Sequence, residues 1–579
     1  MKMGIDKQII LLMVGLLIGF IGIVVRLYFK SFFAIMLEGI LFIVSLTYIF
    51  TQMELLDVPF AISLIVYGWA TFTSVFTANK NHAQYTKKIK RELPHCEVRI
   101  KKSLNRLLID LFFTMLLFGL SMVYFIFNPN PVVSLVLLFG LFSLLMEMLK
   151  RIINFASLRV YYEEDSNILY VLTSFEGKRY PLEDAVDIEL QSNVDILRLF
   201  PLFTMFNNNM DFTTKMGKTV KISFPGEKIY LTMPTDQLRR IEQIHINKNE
   251  QINKGSVLSE KEVLPFYHRK NLKRLLGKGY FAITVKGVGA YATLLVILTI
   301  LKVPVWMMTV GIILFWIINL AISDRILKAA LDVEEVTDEA VLKIARKVFQ
   351  RANLPNITLY QTEATEYNGF AAGANIGRSI ITLTTETLKL PLEAIEGILA
   401  HEAIHVKKRD ILIGQFMRFV SMAIVIGIIF LVKFLFPNQT IFLFIIIWLL
   451  MVIFPVVYSL FTQWMEVRAD HLGATLLDGG NEQMAKSLQQ LAKKQDEAIE
   501  KSGQFNMMNT EDSSAKETVS SVERDKWYFR LLEFQFQSHP PMYWRIHSLR
   551  TTSCSWNVQK LKKWWRERMR ESIPDKILK

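Results

Sequence analysis

Cysteine is nearly absent from this chain. Cys96 and Cys554 are the only two cysteines among 579 residues, and both lie in charged stretches. Two thiols so far apart in the sequence exclude a disulfide framework, and they are too few for a zinc site made of cysteines. We interpret them as incidental reduced thiols.

A nucleic-acid-binding motif is also absent, although the formal net charge of +14 would favour such a partner. No basic stretch carries the interleaved aromatic residues that are typical of nucleic-acid binding. The Lys and Arg residues lie instead between apolar stretches, which is the pattern of positive-inside loops in membrane proteins. The sequence therefore predicts no nucleic-acid partner.

Charge is scarce within nine long apolar runs, and the chain is 51% hydrophobic with a mean hydropathy of +0.29. A helix needs about 20 apolar residues to cross a bilayer. Nine such runs exclude an ordinary soluble protein and predict a multi-span α-helical membrane protein. The predicted spans are 8–26, 31–50, 56–77, 107–128, 131–149, 281–301, 303–323, 416–436 and 440–462.

The loop at 78–106 fixes the predicted orientation because it contains nine Lys and Arg residues. Loops of this kind stay on the cytoplasmic side. Counting spans from this loop places the N-terminus outside and the segments 150–280, 324–415 and 463–579 inside. The sequence thus predicts a multi-pass protein of a bacterial cytoplasmic membrane, with every large polar segment and the C-terminus in the cytoplasm.

Residues 151–275 predict a separate small β-rich cytoplasmic domain, between a five-span region at 1–150 and two further spans at 281–323. Apolar residues at Leu158, Val160 and Tyr162 alternate with polar neighbours, as in a half-buried strand. A helix is predicted to begin near Pro234. The order of elements resembles bacterial pleckstrin-homology-like domains, and a β-rich spacer without a ligand is an equal alternative. Further strand-like runs occur at 168–173, 184–190, 218–224 and 228–233.

Two polar segments follow later in the chain. Residues 494–526 are charged and rich in Ser and Thr, which is typical of a flexible loop. Residues 551–579 form a basic tail that contains Trp564 and Trp565. An ordinary solvated helix is the preferred interpretation of this tail, and a helix lying on anionic headgroups is the alternative.

The main chemical motif is His401-Glu402-Ala403-Ile404-His405, which lies in a helical pattern at 391–408. Two histidines four residues apart lie one turn apart on the same helix face, so both imidazoles can bind one zinc ion. Glu402 lies at a neighbouring angle, where it can accept a proton from the attacking water. The motif predicts one Zn²⁺ ion per chain, with a chance match as the alternative.

A catalytic zinc site needs a third protein ligand and one open position. Glu466, just after the ninth predicted span, is the candidate for this third ligand. Glu466 and Asp470 lie on one helix face, and Ala469, Gly473 and Ala474 allow a second helix to pack closely. Asp470 would then orient a ligand histidine through its second ring nitrogen. An ordinary carboxylate near the membrane is the alternative for Glu466.

Four segments of the chain carry a resemblance to a known family. In chain order they are Asn368-Gly369-Phe370-Ala371-Ala372-Gly373 (similar to NAFATG), HEAIH at 401–405, Glu466 to Asp470, and His539-Pro540-Pro541-Met542-Tyr543-Trp544-Arg545-Ile546 (similar to HPxxxxRI). They resemble the HtpX-like and CAAX-prenyl-protease (Ste-type) family of membrane-integrated zinc metallopeptidases, which are gluzincins with HExxH and a downstream ExxxD. The resemblance covers about 330–550 and implies a mostly helical cytoplasmic zincin domain with a small sheet, which includes the spans 416–436 and 440–462. Gly369 and Ala372 replace the usual Ala and Thr of the family.

The resemblance implies a catalytic set of five residues. His401, His405 and Glu466 would be the zinc ligands, and Glu402 would be the general base. His539 would lie near the zinc and stabilise the oxyanion of the tetrahedral intermediate.

The resemblance also implies supporting and substrate-binding residues. Asp470 and Arg545 would orient and support the site. Asn368, Phe370 and Gly373 would bind the substrate and lead into an edge strand at 380–383. An edge strand can pair with an extended peptide through main-chain hydrogen bonds.

These features together predict a membrane-bound zinc endopeptidase that cleaves membrane proteins or peptides at the cytoplasmic face, in protein quality control. Such substrates and the lipid bilayer are the predicted partners, and the oligomeric state is left open. The alternative is a zinc-containing sensor or scaffold with little or no turnover. Glu402 speaks against it, because a structural zinc site needs no general base. A transporter is disfavoured because the spans carry almost no charge.

Overall fold

The computed structural model describes residues 4–574 apart from 30, 56, 77–79, 128–130, 202–208, 233–261, 266, 282–302, scattered positions within 305–330, 355–356, 373–378, 438, 507–519 and 553–555. The chain forms two compact units. The first comprises Met1–Lys273, Ala292–Val303 and Ile499–Ser514, and the second comprises Arg274–Tyr291, Pro304–Ala498 and Ala515–Lys579.

Long apolar helices open the first unit. Two of them, α1 and α3, cross closely, because an added Cβ atom at Gly15 or Gly68 would run into the backbone of the opposite helix. Small residues at such crossings are typical of packed membrane helices. The helices are α1 (Ile5–Tyr28), α2 (Ser31–Gln52), α3 (Val58–Val75), α4 (Lys80–Glu92), α5 (Leu104–Phe127) and α6 (Pro131–Ser157).

Two four-stranded sheets form the β-rich part of this unit, and their apolar side chains share one core. One sheet is antiparallel in the order β1-β2-β3-β4. The other has the order β5-β7-β8-β6, in which β6 runs parallel to β8. The strands are β1 (Glu97–Val98), β2 (Arg159–Glu163), β3 (Ile168–Leu172), β4 (Gly177–Pro181), β5 (Asp187–Gln191), β6 (Asn209–Phe212), β7 (Thr219–Phe224) and β8 (Glu227–Leu231), with a short helix α7 (Ile196–Leu199).

The β-rich domain is therefore confirmed, whereas its bounds of 151–275 and its cytoplasmic location stay predictions. β1, β4 and β6 are not predicted from the sequence, and in β4 and β6 the residues Gly, Lys, Asn and Asp interrupt any apolar alternation. The predicted helix beginning near Pro234 lies outside the described residues.

Phe505, far along the chain, completes the core of the β-rich domain. Its ring lies 5.4 Å from that of Tyr180 and 5.3 Å from that of Phe224, centroid to centroid. Its carbonyl accepts a hydrogen bond from the Arg179 amide at 2.8 Å. The prediction of a flexible loop is consequently wrong at 494–504, which are helical up to this anchor. Residues 507–519 of that predicted loop lie outside the described residues.

The second unit is mostly helical and also contains one small sheet. Helix α8 begins at the end of the first unit and continues into the second. The helices are α8 (Arg269–Phe281), α9 (Glu339–Arg351), α10 (Leu392–Lys408), α11 (Asp410–Leu435), α12 (Thr440–Ala474), α13 (Gly480–Gln504), α14 (Trp527–Phe536), α15 (Met542–Thr551) and α16 (Val558–Glu571).

The small sheet corrects the prediction that residues 380–383 form an edge strand. Its order is β11-β12-β10-β9, so β12 has a partner on both sides: it pairs antiparallel with β11 and parallel with β10. All five side chains of β12 are buried, as in a central strand. Within the described residues β11 and β9 are the two edge strands of the sheet, and the edge of β11 that faces away from β12 carries no paired strand. The strands are β9 (Glu334–Glu335), β10 (Thr358–Thr362), β11 (Gly369–Ala372) and β12 (Ile380–Thr384).

Helices occupy seven of the nine predicted spans, namely α1, α2, α3, α5, α6, α11 and α12. Among the described residues, α1, α2, α5 and α11 are long and apolar enough to cross a membrane by length and composition. Most of the predicted spans 281–301 and 303–323 lies outside the described residues. The chain is thus a multi-pass integral membrane protein, and the predicted number of spans and orientation stay predictions.

The close packing of α10 against α12 sets the geometry of the second unit. A Cβ atom added at Gly473 of α12 would lie 3.2 Å from the Ala400 backbone of α10 and 2.8 Å from Cε of Met484. Apolar residues of α10 such as Ile395 and Leu399 are fully buried in the same core. The two helices can approach this closely because position 473 has no side chain.

We expect Gly473→Val to push α12 away from α10 and to destabilise the protein by about 1–3 kcal/mol, the usual range for overpacking. The measurement is the thermal unfolding midpoint in detergent. Gly427→Val on α11 is the matched control, since an added Cβ there has no described neighbour within 4 Å. Equal midpoints for the two variants would contradict this account of the helix crossing.

Candidate zinc site and active site

Helix α10 carries the histidine motif and ends in a sharp turn. Arg409 adopts the left-handed conformation with φ of 55°, and its amide donates to the carbonyls of His405 and Val406. Helix α11 starts at the next residue, Asp410. The turn therefore brings the Asp410 carboxylate back to His405, the last histidine of α10.

Three side chains from two helices converge in the arrangement of a zinc site. The Nε2 atoms of His401 and His405 are 3.0 Å apart. The two carboxylate oxygens of Glu466, on α12, each lie 3.4 Å from one of these nitrogens. Ligand atoms bound to zinc at about 2.0–2.2 Å with tetrahedral angles lie roughly 3.3 Å from one another.

These separations fit a zinc ion, because they match the spacing of ligand atoms around one tetrahedral ion. The structure thus brings together all three ligands that the sequence predicts. Three protein ligands leave one position of a tetrahedral ion open, as in catalytic zinc sites.

Polar contacts together outweigh burial in the titration of the ligands. Burial lowers the pKa of a histidine, but the close carboxylates of Asp470 and Glu466 raise the pKa of His401 above its usual value. Hydrogen bonds to Asp410 and Glu466 likewise raise the pKa of His405 well above its usual value. Burial raises the pKa of a carboxyl group, yet the nearby His539, together with hydrogen bonds from His401 and His405, holds the pKa of Glu466 well below its usual range. The site therefore favours bound positive charge.

Asp470 and Arg545 support His401. Nδ1 of His401 lies 2.8 Å from Oδ1 of Asp470, off the line of an ideal hydrogen bond. Arg545 donates to both oxygens of Asp470, from Nε at 2.8 Å and from Nη2 at 2.7 Å. Burial raises the pKa of a carboxyl group, but Arg545 outweighs burial and lowers the pKa of Asp470. The structure brings both predicted supporting residues to this ligand.

A second pair, Asp410 and Arg468, supports His405 in the same way. Oδ2 of Asp410 lies 2.9 Å from Nδ1 of His405, and Nη2 of Arg468 pairs with the other oxygen of Asp410. Neither residue is predicted from the sequence, because the contact depends on the left-handed turn at Arg409. The only sequence signal for this pair is the acidic residue Asp410 shortly after the second histidine of the motif.

The predicted base, Glu402, lies next to the free edge of the small sheet. A Cβ atom added at Gly369 of β11 would lie 3.5 Å from Cγ of Glu402 and 2.9 Å from Cδ2 of Leu383. A side chain at position 369 would therefore push β11 away from α10. The glycine that departs from the family pattern lets the edge strand approach the base closely.

His539 reaches the zinc ligands from the loop between α14 and α15. Its Nδ1 lies 2.9 Å from Oε2 of Glu466, and its side chain is 62% exposed. Gln463, one turn before Glu466 on α12, holds this loop by donating from Nε2 to the carbonyls of Glu533 and Gln537 at 3.0 and 2.9 Å. The structure places His539 beside the ligand set, with its ring open to solvent.

The structure places two of the three predicted substrate-binding residues, Asn368 and Phe370, at the edge strand β11. The carbonyl of Asn368 accepts hydrogen bonds from the Thr384 amide and the Thr387 hydroxyl, so its main chain fastens the start of β11. Phe370 lies within β11 and is half-buried. Gly373 lies outside the described residues. Substrate contact by all three stays a prediction.

Comparison with known families matches two parts of the chain. Residues 159–245 match the family described as "Bacterial PH domain", and residues 335–553 match "Peptidase family M48". The first match covers most of the two β-sheets of the first unit. The second covers the histidine motif, Glu466 and His539.

Curated relatives share a shorter region. A "Protease HtpX homolog" of Pelotomaculum thermopropionicum is 34% identical over 115 residues, which are 18% of this chain and 41% of the relative. One of Desulforapulum autotrophicum is 38% identical over 96 residues, which are 16% of this chain and 31% of the relative. The chain thus spans less than half of the length of these relatives.

A crystal structure of S. mikatae Ste24p aligns with 54% of this chain and 73% of that chain, at 15% identity and a TM-score of 0.33. A likeness of this size carries no argument about activity.

We expect Asp410→Asn to weaken zinc binding about 10–100-fold, the usual effect of removing the carboxylate that orients a ligand histidine. The substitution keeps the side-chain shape but removes the charge that faces His405 and Arg468. The measurement is the zinc dissociation constant of the purified protein in competition with a chromogenic chelator.

Asp478→Asn is the control for this prediction, because Asp478 is a largely exposed carboxylate that pairs with Lys347 and Arg351 away from the ligands. Its zinc affinity should equal that of the unmodified protein. An unchanged affinity in Asp410→Asn would show that the pair does not position His405.

Proposed function

We propose that the chain is a membrane-bound zinc endopeptidase, since residues 335–553 match peptidase family M48. Its substrates are membrane proteins or peptides exposed at the cytoplasmic face, and its role is protein quality control. The observation that carries the proposal is the meeting of three elements: a zinc-type ligand set, a buried glutamate beside it, and a free strand edge next to that glutamate.

The chemistry divides between the ion and the side chains. His401, His405 and Glu466 would hold zinc, which when bound supplies a Lewis acid that activates water and polarises a carbonyl. Glu402 takes the proton of the attacking water and returns it to the nitrogen of the broken peptide bond. His539 provides a positive charge or a hydrogen-bond donor near the developing oxyanion, and Arg545 supports the site through Asp470.

Strand addition to β11 is the proposed mode of substrate binding. Asn368 and Thr384 form a hydrogen-bonded pair, and such pairs alternate along an antiparallel ladder. The main-chain N–H and C=O groups of Phe370 therefore point towards β12. Those of Gly369 and Ala371 point towards the free edge of β11. A peptide bound there in extended form would pass beside Glu402.

A sensor or scaffold is the competing function, and one residue separates it from a peptidase. A structural zinc site gains nothing from a buried, non-ligand carboxylate such as Glu402. It also gains nothing from an open strand edge next to that carboxylate. The proposal of a peptidase therefore rests on Glu402, whose replacement distinguishes the two functions.

We expect Glu402→Gln to keep zinc and to lower the rate of cleavage of an unfolded membrane protein by about 10²–10⁴-fold, since only proton transfer is lost. Zinc content and cleavage rate are both measured on the purified protein in detergent. Glu396→Gln is the matched control on the same helix, because Glu396 pairs with Lys347 on the side away from the ligands. No cleavage by either protein would favour the scaffold, and equal cleavage by both would exclude Glu402 as the proton acceptor.

We expect Ala371→Pro to lower kcat/KM for peptide substrates roughly 5–10-fold, the effect of one lost main-chain hydrogen bond at the free edge. Proline is tolerated on edge strands, so zinc content and the unfolding midpoint should not change. Ala371→Ser, which keeps the amide hydrogen, is the control. Equal kcat/KM values for the two variants would exclude pairing of substrate at position 371.

A further inference from the structure

Helix α14 exposes an apolar face that nothing in the described part of the chain covers. Tyr528, Phe529, Leu532 and Phe536 are 41–51% exposed, whereas Phe534 is fully buried against α12 and α15. At 100° per residue these four side chains fall within one sector about 100° wide. The sector lies opposite the packed face, so the helix is apolar on two sides.

Helix α16 shows a second exposed stripe with a basic border. Val558, Trp565 and Met569 are 65%, 49% and 48% exposed and lie within about 40° of one another around the helix. Along one side of this stripe stand three exposed basic residues, and among the described residues none of them has an ion-pair partner. They are Lys562, Arg566 and Arg570.

Both helices meet α12 where its apolar run ends. Ser459 donates from its hydroxyl to the Gln535 carbonyl of α14 at 2.7 Å and accepts from Nη2 of Arg568 of α16 at 2.9 Å. Nη1 of Arg568 donates to Gln463 at 2.7 Å. The predicted span ends at residue 462, so these contacts place both helices at the level where α12 leaves the bilayer.

We propose that α14 and α16 lie in the interfacial layer of an anionic membrane leaflet, with their exposed stripes towards the acyl chains. A stripe with tryptophan and a border of Lys and Arg is the composition of helices that lie in the membrane plane. The basic border matches negatively charged headgroups. Continuity with the end of α12 favours lipid over a protein partner, and the proposal does not depend on peptidase activity.

Site-directed spin labelling of the full-length protein tests this proposal. The starting protein carries Cys96→Ser and Cys554→Ser, and single nitroxide labels are attached after Leu532→Cys, Trp565→Cys or Gln559→Cys. Gln559 is an exposed position on α16 away from the apolar stripe. The protein is placed in vesicles of phosphatidylcholine and phosphatidylglycerol, and collision rates are measured with oxygen, which enters lipid, and with a water-soluble nickel complex.

The collision rates separate the possible occupants of the two stripes. We expect a ratio of oxygen to nickel collisions several-fold higher at 532 and 565 than at 559, which indicates lipid contact. High collision rates with both reagents would show that the stripes face water. Low rates with both would show a protein partner or a second copy of the chain. Either of the latter two results would overturn the proposal.

A charge variant tests the anionic character of the surface. In labelled protein that keeps Lys562, Arg566 and Arg570, labels at 532 and 565 should be less accessible to nickel in vesicles with phosphatidylglycerol than in vesicles of phosphatidylcholine alone. We expect Lys562→Gln, Arg566→Gln and Arg570→Gln together to abolish this difference. The control removes three exposed lysines from α9 and α13, through Lys343→Gln, Lys486→Gln and Lys493→Gln, and should preserve it. The same difference in both triple variants would exclude recognition of anionic lipid by α16.

Discussion

The approach of α10 and α12 at Gly473 is the constraint on which the site depends. The histidines belong to one helix and Glu466 to the other, so the ligand set exists only at the separation that this contact allows. α12 also carries Arg468 and Asp470, which support the two histidines from opposite sides. The single helix α12 therefore supplies a ligand and part of both supporting pairs.

The two Asp–Arg pairs give the site a symmetrical second layer. Each ligand histidine faces one aspartate through Nδ1, and each aspartate is neutralised by one arginine. Fixing the outer nitrogen directs the inner nitrogen of each ring at the same point. The arginines also reduce the cost of burying two carboxylates close to Glu466.

Sequence patterns predicted what arises within one helix and missed what depends on packing. The spacing of His401 and His405 is a property of the helix itself, whereas Asp410 reaches His405 only through the turn at Arg409. The strand at 380–384 could have been recognised as central, because its apolar residues Ile380, Ile381 and Leu383 fall on both faces of the strand. In α16 the interior residues include Lys560 and Arg568 while Trp565 is exposed, so hydropathy alone assigns the wrong face. Burial lowers the pKa of Arg568 to about 10, and its guanidinium is bound by neutral side chains.

The position of Phe505 determines how this protein can be divided. Its ring packs against both Tyr180 and Phe224 in the β-rich core, although Phe505 follows Tyr180 by 325 positions in the sequence. A fragment cut at the apparent limits of the β-rich domain would lack this ring and expose an open slot lined by aromatic side chains. Such a slot would invite aggregation during expression. Phe505 directly follows α13, which begins in the second unit, and yet belongs to the interior of the β-rich domain, so boundaries drawn from contiguous sequence would divide one folding unit.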